Sequence, residues 1–297
     1  MYFLSGVDQK KLVDKILTSS RSVGVSEELR GWNWNKPPLK PMYEDRIPMY
    51  SVCSKYCPTS RDVFLDRVMR APSKPGENVI LGVALHRAVS TTITSFQDGT
   101  KPTFDAWYAA ALRDRNVTSV LETVREKTRL VWDHMTKNCE VEYLNRASEQ
   151  PYASRRDVLA TAVPFLVEHK INGELLGLSG LLSVDCYDYL RGVVFDLKAS
   201  GEERDWYRLA PTGYALVLES IYEIPVDAGC VTYLWFHGGE PRVRRDLFFI
   251  NDDLRSWWIE ERDAKLSIVA QKKDPGIAPN CPADCIYWHA CRGEPPQ

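Results

Sequence analysis

Residues 175–200, LLGLSGLLSVDCYDYLRGVVFDLKAS, constrain this chain more than any other stretch. Two apolar, β-branched runs, 175–184 and 193–197, flank a short polar segment ending at Gly192, which is the pattern of a β-hairpin. Side chains alternate faces along a strand, so Asp196 and Lys198 point to one side, and Asp185 brings a second acid from the first strand. Val193, Val194, Phe195 and Leu197 make the second strand read as buried. Ionised groups there are costly unless they are paired or bound to a metal. A lone D-x-K triplet is common on solvated hairpins, and only the apolar setting gives this one weight. Two converging carboxylates suit Mg2+ or Mn2+, which take oxygen ligands. Such a cation acidifies water and stabilises charge on a phosphate, with a nearby lysine orienting that water.

The rest of the chain divides near residue 160. Before it, helical spacing of apolar residues predicts helices over 8–21, 77–96, 103–113, 117–136 and 140–147, with Ser60 capping a further helix to about residue 70. His86 falls in the middle of the 77–96 helix, from which it can reach a following sheet. Residues 31–50 contain four prolines and form no regular helix. After residue 160 the period shortens. A strand over 161–171, an Asn172-Gly173 turn and a partner strand over 175–185 lead into the 193–198 strand. A helix over 204–222, a hairpin of strands 230–236 and 243–250, and a helix over 251–270 complete the pattern. The expected architecture is a mixed α/β sheet flanked by helices in a single unit. Its parts are an N-terminal segment (1–76), a helical region (77–160), a core (161–270) and a C-terminal cysteine cluster (271–297).

The formal net charge of −2 neither requires nor excludes a nucleic-acid partner, because a basic groove can be local. Arg155, Arg156, Arg242, Arg244 and Arg245 are read as ordinary solvated surface. No run of about 18 apolar residues speaks for a membrane span. Residues 1–15 lack the pattern of a signal peptide, so the expected location is the cytoplasm. Eight cysteines then need a purpose other than disulfides. Cys139, Cys186 and Cys230 are isolated and read as buried small hydrophobes. Cys281, Cys285 and Cys291 form a C-x3-C-x5-C cluster, and Cys53 or Cys57 supplies a fourth thiolate. Four thiolates suit either zinc or an iron–sulfur cluster, and their origin at both chain ends would staple the chain into one unit.

Taken in order, these features resemble a known family. A histidine on a helix, an acid near a strand end after glycine, D-x-K on the next strand and a helix bearing Tyr214 are similar to RecB-type nucleases. Cys57-Pro58 upstream and three cysteines downstream resemble their iron–sulfur members. The whole resembles a CRISPR-associated RecB-like nuclease of the archaeal Csa-type exonuclease subfamily, over roughly residues 50–293.

The resemblance implies a restriction-endonuclease-like (PD-(D/E)xK) core with a helical insertion and an iron–sulfur cap made from both ends of the chain. It implies a metal-dependent DNA exonuclease acting in CRISPR adaptation. His86, Asp185 and Asp196 would hold Mg2+ or Mn2+; Asp185, Asp196, Lys198 and Tyr214 would be catalytic; Cys57, Cys281, Cys285 and Cys291 would hold a 4Fe–4S cluster. The implied partners are DNA, single-stranded or with single-stranded ends, and the CRISPR integrase with other adaptation proteins. A non-catalytic nuclease-fold subunit that binds DNA and the integrase is the alternative. Three departures stand out: Ser183 occupies the family's acid position three residues after Gly180, Ala210 replaces a glutamine four residues before Tyr214, and the downstream cysteines are spaced C-x3-C.

Overall fold

The computed structural model describes residues 1–74, 76–111, 121–281 and 285–293. The helical half comprises α1 (Gly6–Lys11), a π-helical stretch (Leu12–Leu17), α2 (Thr18–Val23), α3 (Met49–Cys53), α4 (Arg61–Arg67), α5 (Glu77–Asp98), α6 (Phe104–Ala111), α7 (Leu121–Glu149) and α8 (Arg155–Ala162). The second half runs β1 (Phe165–Ile171), β2 (Leu182–Asp188), β3 (Val193–Lys198), α9 (Leu209–Tyr222), β4 (Ala228–His237), β5 (Glu240–Phe249), α10 (Asp252–Gln271) and α11 (Trp288–Arg292). The five strands lie in sequence order in one sheet. All neighbours are antiparallel except β3 and β4, which α9 joins by the crossover that parallel strands require.

Alternation along the strands feeds two cores. Phe195, Leu197 and Cys230 pack on one face with Leu85, Val89 and Ile93 of α5 and Met135 of α7. Val194, Val231 and Phe248 pack on the other with α9, α10 and the proline-rich segment. That segment forms no regular helix through its prolines, as its composition dictates, and α10 holds it in place. The buried Arg262 donates to the carbonyls of Leu39 (2.6 Å) and Pro38 (3.3 Å), and Lys265 donates to those of Val52 (2.6 Å) and Ser54 (2.8 Å). Buried cations here satisfy carbonyls that no ladder serves.

Several boundaries differ from those read in the sequence. Residues 155–162 are helical, started by a capping box between Ser154 and Asp157, and β1 begins only after Pro164. No glycine or proline breaks 137–139, and α7 runs through as one helix. The parts of the expected 103–113 and 117–136 helices that fall within 112–120 lie outside the described residues. Ser60 has φ +57 and makes no capping hydrogen bond to α4. Helix α5 is apolar enough by length and composition to span a membrane, with mean hydropathy 1.3 over its best window, yet Leu85, Val89 and Ile93 are fully buried against the sheet.

The largest correction concerns the opening stretch. Residues 172–181 are not a two-residue turn plus strand. They hold a 3-10 turn (Glu174–Leu176), and Leu178 forms an isolated parallel bridge with Ile47. The Ser179 N–H donates to the Ile47 carbonyl at 3.0 Å. Strand β2 therefore starts at Leu182 and continues three residues beyond Asp185. Asp185 lies mid-strand, with neighbours on both sides.

Candidate active site

The register of β1 on β2 is continuous from Phe165 opposite Asp188 to Ile171 opposite Leu182, which sets Glu168 opposite Asp185, yet those two residues do not pair. The β2–β3 pairing stops at Cys186 opposite Phe195, so the next position sets Asp185 opposite Asp196. Three acids thus occupy one row across three adjacent strands, where like charges repel. The ladder is open on both sides of Asp185. Glu168 has φ +48, a left-handed conformation that costs a non-glycine residue about 1–3 kcal/mol and collects at functional sites.

Site side chains serve the backbone groups released by the opening. The Leu197 N–H donates to Asp185 Oδ2 at 2.9 Å, and His86 Nε2 lies 2.9 Å from the Leu197 carbonyl. A ring nitrogen facing a carbonyl carries its hydrogen, so Nε2 donates. That leaves Nδ1 turned toward Asp185 Oδ2, 3.4 Å away. A backbone carbonyl holding one imidazole nitrogen while the other faces carboxylates is the usual outer support of a histidine metal ligand. The ligand atoms of His86, Glu168 and Asp185 all lie within 4.8 Å of one another. Asp196, 6% exposed, is not in that set; its Oδ2 lies 2.8 Å from Lys198 Nζ. The two form a buried ion pair. Lys198 also sits over the Tyr207 ring, 5.2 Å from its centre.

The electrostatics push the two central acids apart. Burial raises the Asp185 carboxyl, but the His86 imidazolium, the Leu197 N–H and Lys198 together hold it below the usual range. Burial and the Asp185 charge raise Asp196 against the pull of Lys198. Burial opposes charge on Lys198 too, yet Asp196 and Asp185 outweigh it and raise the ammonium's pKa. Likewise burial opposes charge on His86, and Asp185 with Asp196 overrides it to bring the ring to about 9. On α9, Tyr214 is driven well above 10 by burial and then by Asp185 and Asp196, which keeps its hydroxyl neutral beside the acids. Carboxylates and imidazole in this arrangement suit a hard divalent cation.

All four residues read from the hairpin and its flanking helices, His86, Asp185, Asp196 and Lys198, meet here. Glu168 was not anticipated, nor was the role of Ser183. The Ser183 hydroxyl donates to Glu168 Oε2 at 2.6 Å and accepts from Lys170 Nζ at 2.7 Å. The signal in the sequence is the pair Glu168 and Lys170 on one face of a strand, but their relation to Ser183 depends on register.

The cysteines resolve into two environments. Cys57, Cys281, Cys285 and Cys291 line one small cavity between α4 and the C-terminal segment. Burial and then the neighbouring Cys281, Cys291 and Cys57 raise the Cys285 thiol. Arg61 donates to Cys291 Sγ at 3.2 Å, and Arg292 reaches Cys281 Sγ at 3.9 Å. Cys53 is 7% exposed in the core, its thiol pushed up to about 12 by burial, and takes no part in the group.

The family model of the CRISPR-associated exonuclease Csa1 matches residues 1–294. The chain belongs to the Csa1 family. A protein from Saccharolobus solfataricus named CRISPR-associated exonuclease Csa1 is 31% identical over 289 residues, covering 94% of this chain and 97% of that protein. A second of the same name from Thermoproteus tenax is 27% identical over 268 residues, covering 90% and 92%. In this Csa1-family chain Ala210 is 6% exposed in the first turn of α9, where Pro211 is tolerated because that turn's N–H groups are unpaired anyway. The methyl group offers no polar contact to Lys198, which leans on Tyr207 instead.

Proposed function

We propose that this Csa1-family chain is a metal-dependent DNA exonuclease that processes DNA fragments in CRISPR adaptation before an integrase inserts them. The observation that carries the reading is the convergence of His86, Asp185, Asp196 and Lys198 where the sheet opens, in a chain whose relatives are named exonucleases. His86, Asp185 and Asp196 would hold Mg2+ or Mn2+, which supplies Lewis acidity toward a phosphodiester oxygen and a lowered water pKa. Lys198, kept protonated by Asp196, stabilises the charge that develops on phosphate. Tyr214 stays a neutral donor beside the acids. An open groove bordered by His86, Glu168, Lys170 and Lys198 gives a strand end access to the site. Cys57, Cys281, Cys285 and Cys291 would hold a 4Fe–4S cluster, a reading supported by their meeting at one small cavity, with Arg61 donating to Cys291 Sγ. Its role here is to tie α4 to the C-terminal segment.

The test is Mn2+-dependent degradation of end-labelled single-stranded DNA. Replacing Asp196 by alanine lowers the rate at least about 100-fold, the scale of removing one electrostatic stabiliser of a transition state. Undiminished cleavage by that variant sinks the assignment. The loss of the polar side chain at Ala210 favours a second reading, in which the chain binds DNA and the integrase without cutting. Tight Mn2+-independent DNA binding by a parent protein with no cleavage selects it.

A further inference from the structure

Resting on the metal-centre reading above, we infer that Glu168 is a ligand of the same cation, with Ser183 as its positioning residue. Glu168 comes from β1, a strand that carries none of the residues expected at the site. Its carboxylate joins His86 and Asp185 in one ligand set, with all three donor atoms within 4.8 Å of one another. Asp196 stands outside that set, engaged by Lys198. A cation bound between His86 and Asp185 therefore meets Glu168 directly.

Two further observations point the same way. The row Glu168, Asp185, Asp196 gathers three acids on neighbouring strands, with His86 of α5 beside Asp185 and Lys198 of β3 beside Asp196. Glu168 is also held from outside. Ser183 Oγ donates to Oε2 at 2.6 Å, and Lys170 Nζ donates to Ser183 and lies 3.6 Å from Oε2. A ligating carboxylate commonly has this kind of hydrogen-bonded support. Ser183 stands where the family resemblance leads one to expect an acid. Here the hydroxyl leaves Glu168 to provide the charge from the neighbouring strand, so the acid complement is kept by a different route.

The experiment is Mn2+ binding to the full-length protein by calorimetry and by loss of the free Mn2+ electron paramagnetic resonance signal, with Glu168→Gln, Ser183→Ala and Asp185→Asn compared. Glu168→Gln keeps the shape of a half-exposed side chain, so folding is checked by circular dichroism and melting. The expected result is that Glu168→Gln weakens Mn2+ binding at least about 10-fold, as Asp185→Asn does, and Ser183→Ala about 10-fold, the scale of losing outer support. Parent-like affinity in Glu168→Gln beside a clear loss in Asp185→Asn refutes the role of Glu168 and leaves the metal-centre reading standing. Parent-like affinity in Asp185→Asn as well removes both. If Glu168→Gln does not fold, unchanged affinity in a folded Ser183→Ala overturns the inference.

Discussion

Glu219 offers the sharpest test of how the site is supported. It lies on α9, the crossover that carries Tyr214, and is fully buried. Its Oε2 accepts from Arg255 Nη1 (2.7 Å) and the Gly31 N–H (2.8 Å); Oε1 accepts from Arg255 Nη2 (2.9 Å), Arg30 Nη1 (2.9 Å) and the Val226 N–H (3.0 Å). Glu219→Gln turns one of these oxygens into a donor, so at least two donors lose their acceptor, each at about 1–3 kcal/mol. It also leaves the fully buried Arg255 and the largely buried Arg30 with Asp227 as their remaining anion. Breaking a buried pair from one side costs about 3–5 kcal/mol, and that is the destabilisation expected here. For a chain whose total stability is on the order of 10 kcal/mol, this is a large fraction. Urea denaturation, read as a midpoint shift at constant slope, measures it. The exposed Arg146–Glu149 pair is the control, and Glu149→Gln moves stability by less than about 0.5 kcal/mol. A Glu219→Gln loss below about 1 kcal/mol refutes the argument that this carboxylate organises the packing of α9 against the N-terminal segment.

Two further outcomes follow from the site and the thiols. For His86, the folded-state pKa of about 9 lies above the free value of 6.5, so the ion pair with Asp185 stabilises the metal-free protein below pH 6.5 and that contribution is lost as pH rises through 9. The effect is on the order of 3 kcal/mol; melting followed from pH 6 to 10 detects it, Asp185→Asn flattens the curve, and a flat parent curve contradicts the assignment. For the cysteines, Cys57→Ser removes the brown colour and visible absorbance expected of anaerobically purified protein, whereas Cys53→Ser, altering a core residue, keeps both; the reverse pattern overturns the division of the two thiols.

The legible parts of this structure are those written in local pattern. Val193, Val194, Phe195 and Leu197 announce a buried strand, and its alternation alone puts Asp196 beside Lys198. Apolar spacing locates the helix that carries His86. Glu168 was invisible for a physical reason. Its place opposite Asp185 depends on the β1–β2 register, which is set by the long 172–181 connection. That connection is shaped in turn by the Ile47–Leu178 bridge, a contact between residues 131 positions apart. Local propensity carries no trace of such a pairing. The two upstream cysteines were indistinguishable by spacing for the same kind of reason: α3 turns Cys53 into the core against α9 and α10, and four residues later Cys57 reaches the cavity of the C-terminal thiols.

The break in the ladder at Asp185 explains how so many charges persist at the middle of a sheet. An unbroken ladder would have occupied the Leu197 N–H and carbonyl with a neighbouring strand. Released, they fix Asp185 and His86 instead, so the backbone that gives up its own pairing orients the residues that replace it. In the metal-free state His86 and Lys198 supply the positive charge that the acids demand. A divalent cation can take over from the imidazole proton, because Nε2 is already committed to the carbonyl and only Nδ1 must be freed. On the proposed reading, binding would release a proton, and the cation's affinity would rise with pH toward 9 while the stability of the metal-free protein falls. Opposite pH trends for affinity and metal-free stability are the consequence of placing a histidine between a carbonyl and two carboxylates, and a site built only for structural ion pairing would give the second trend without the first.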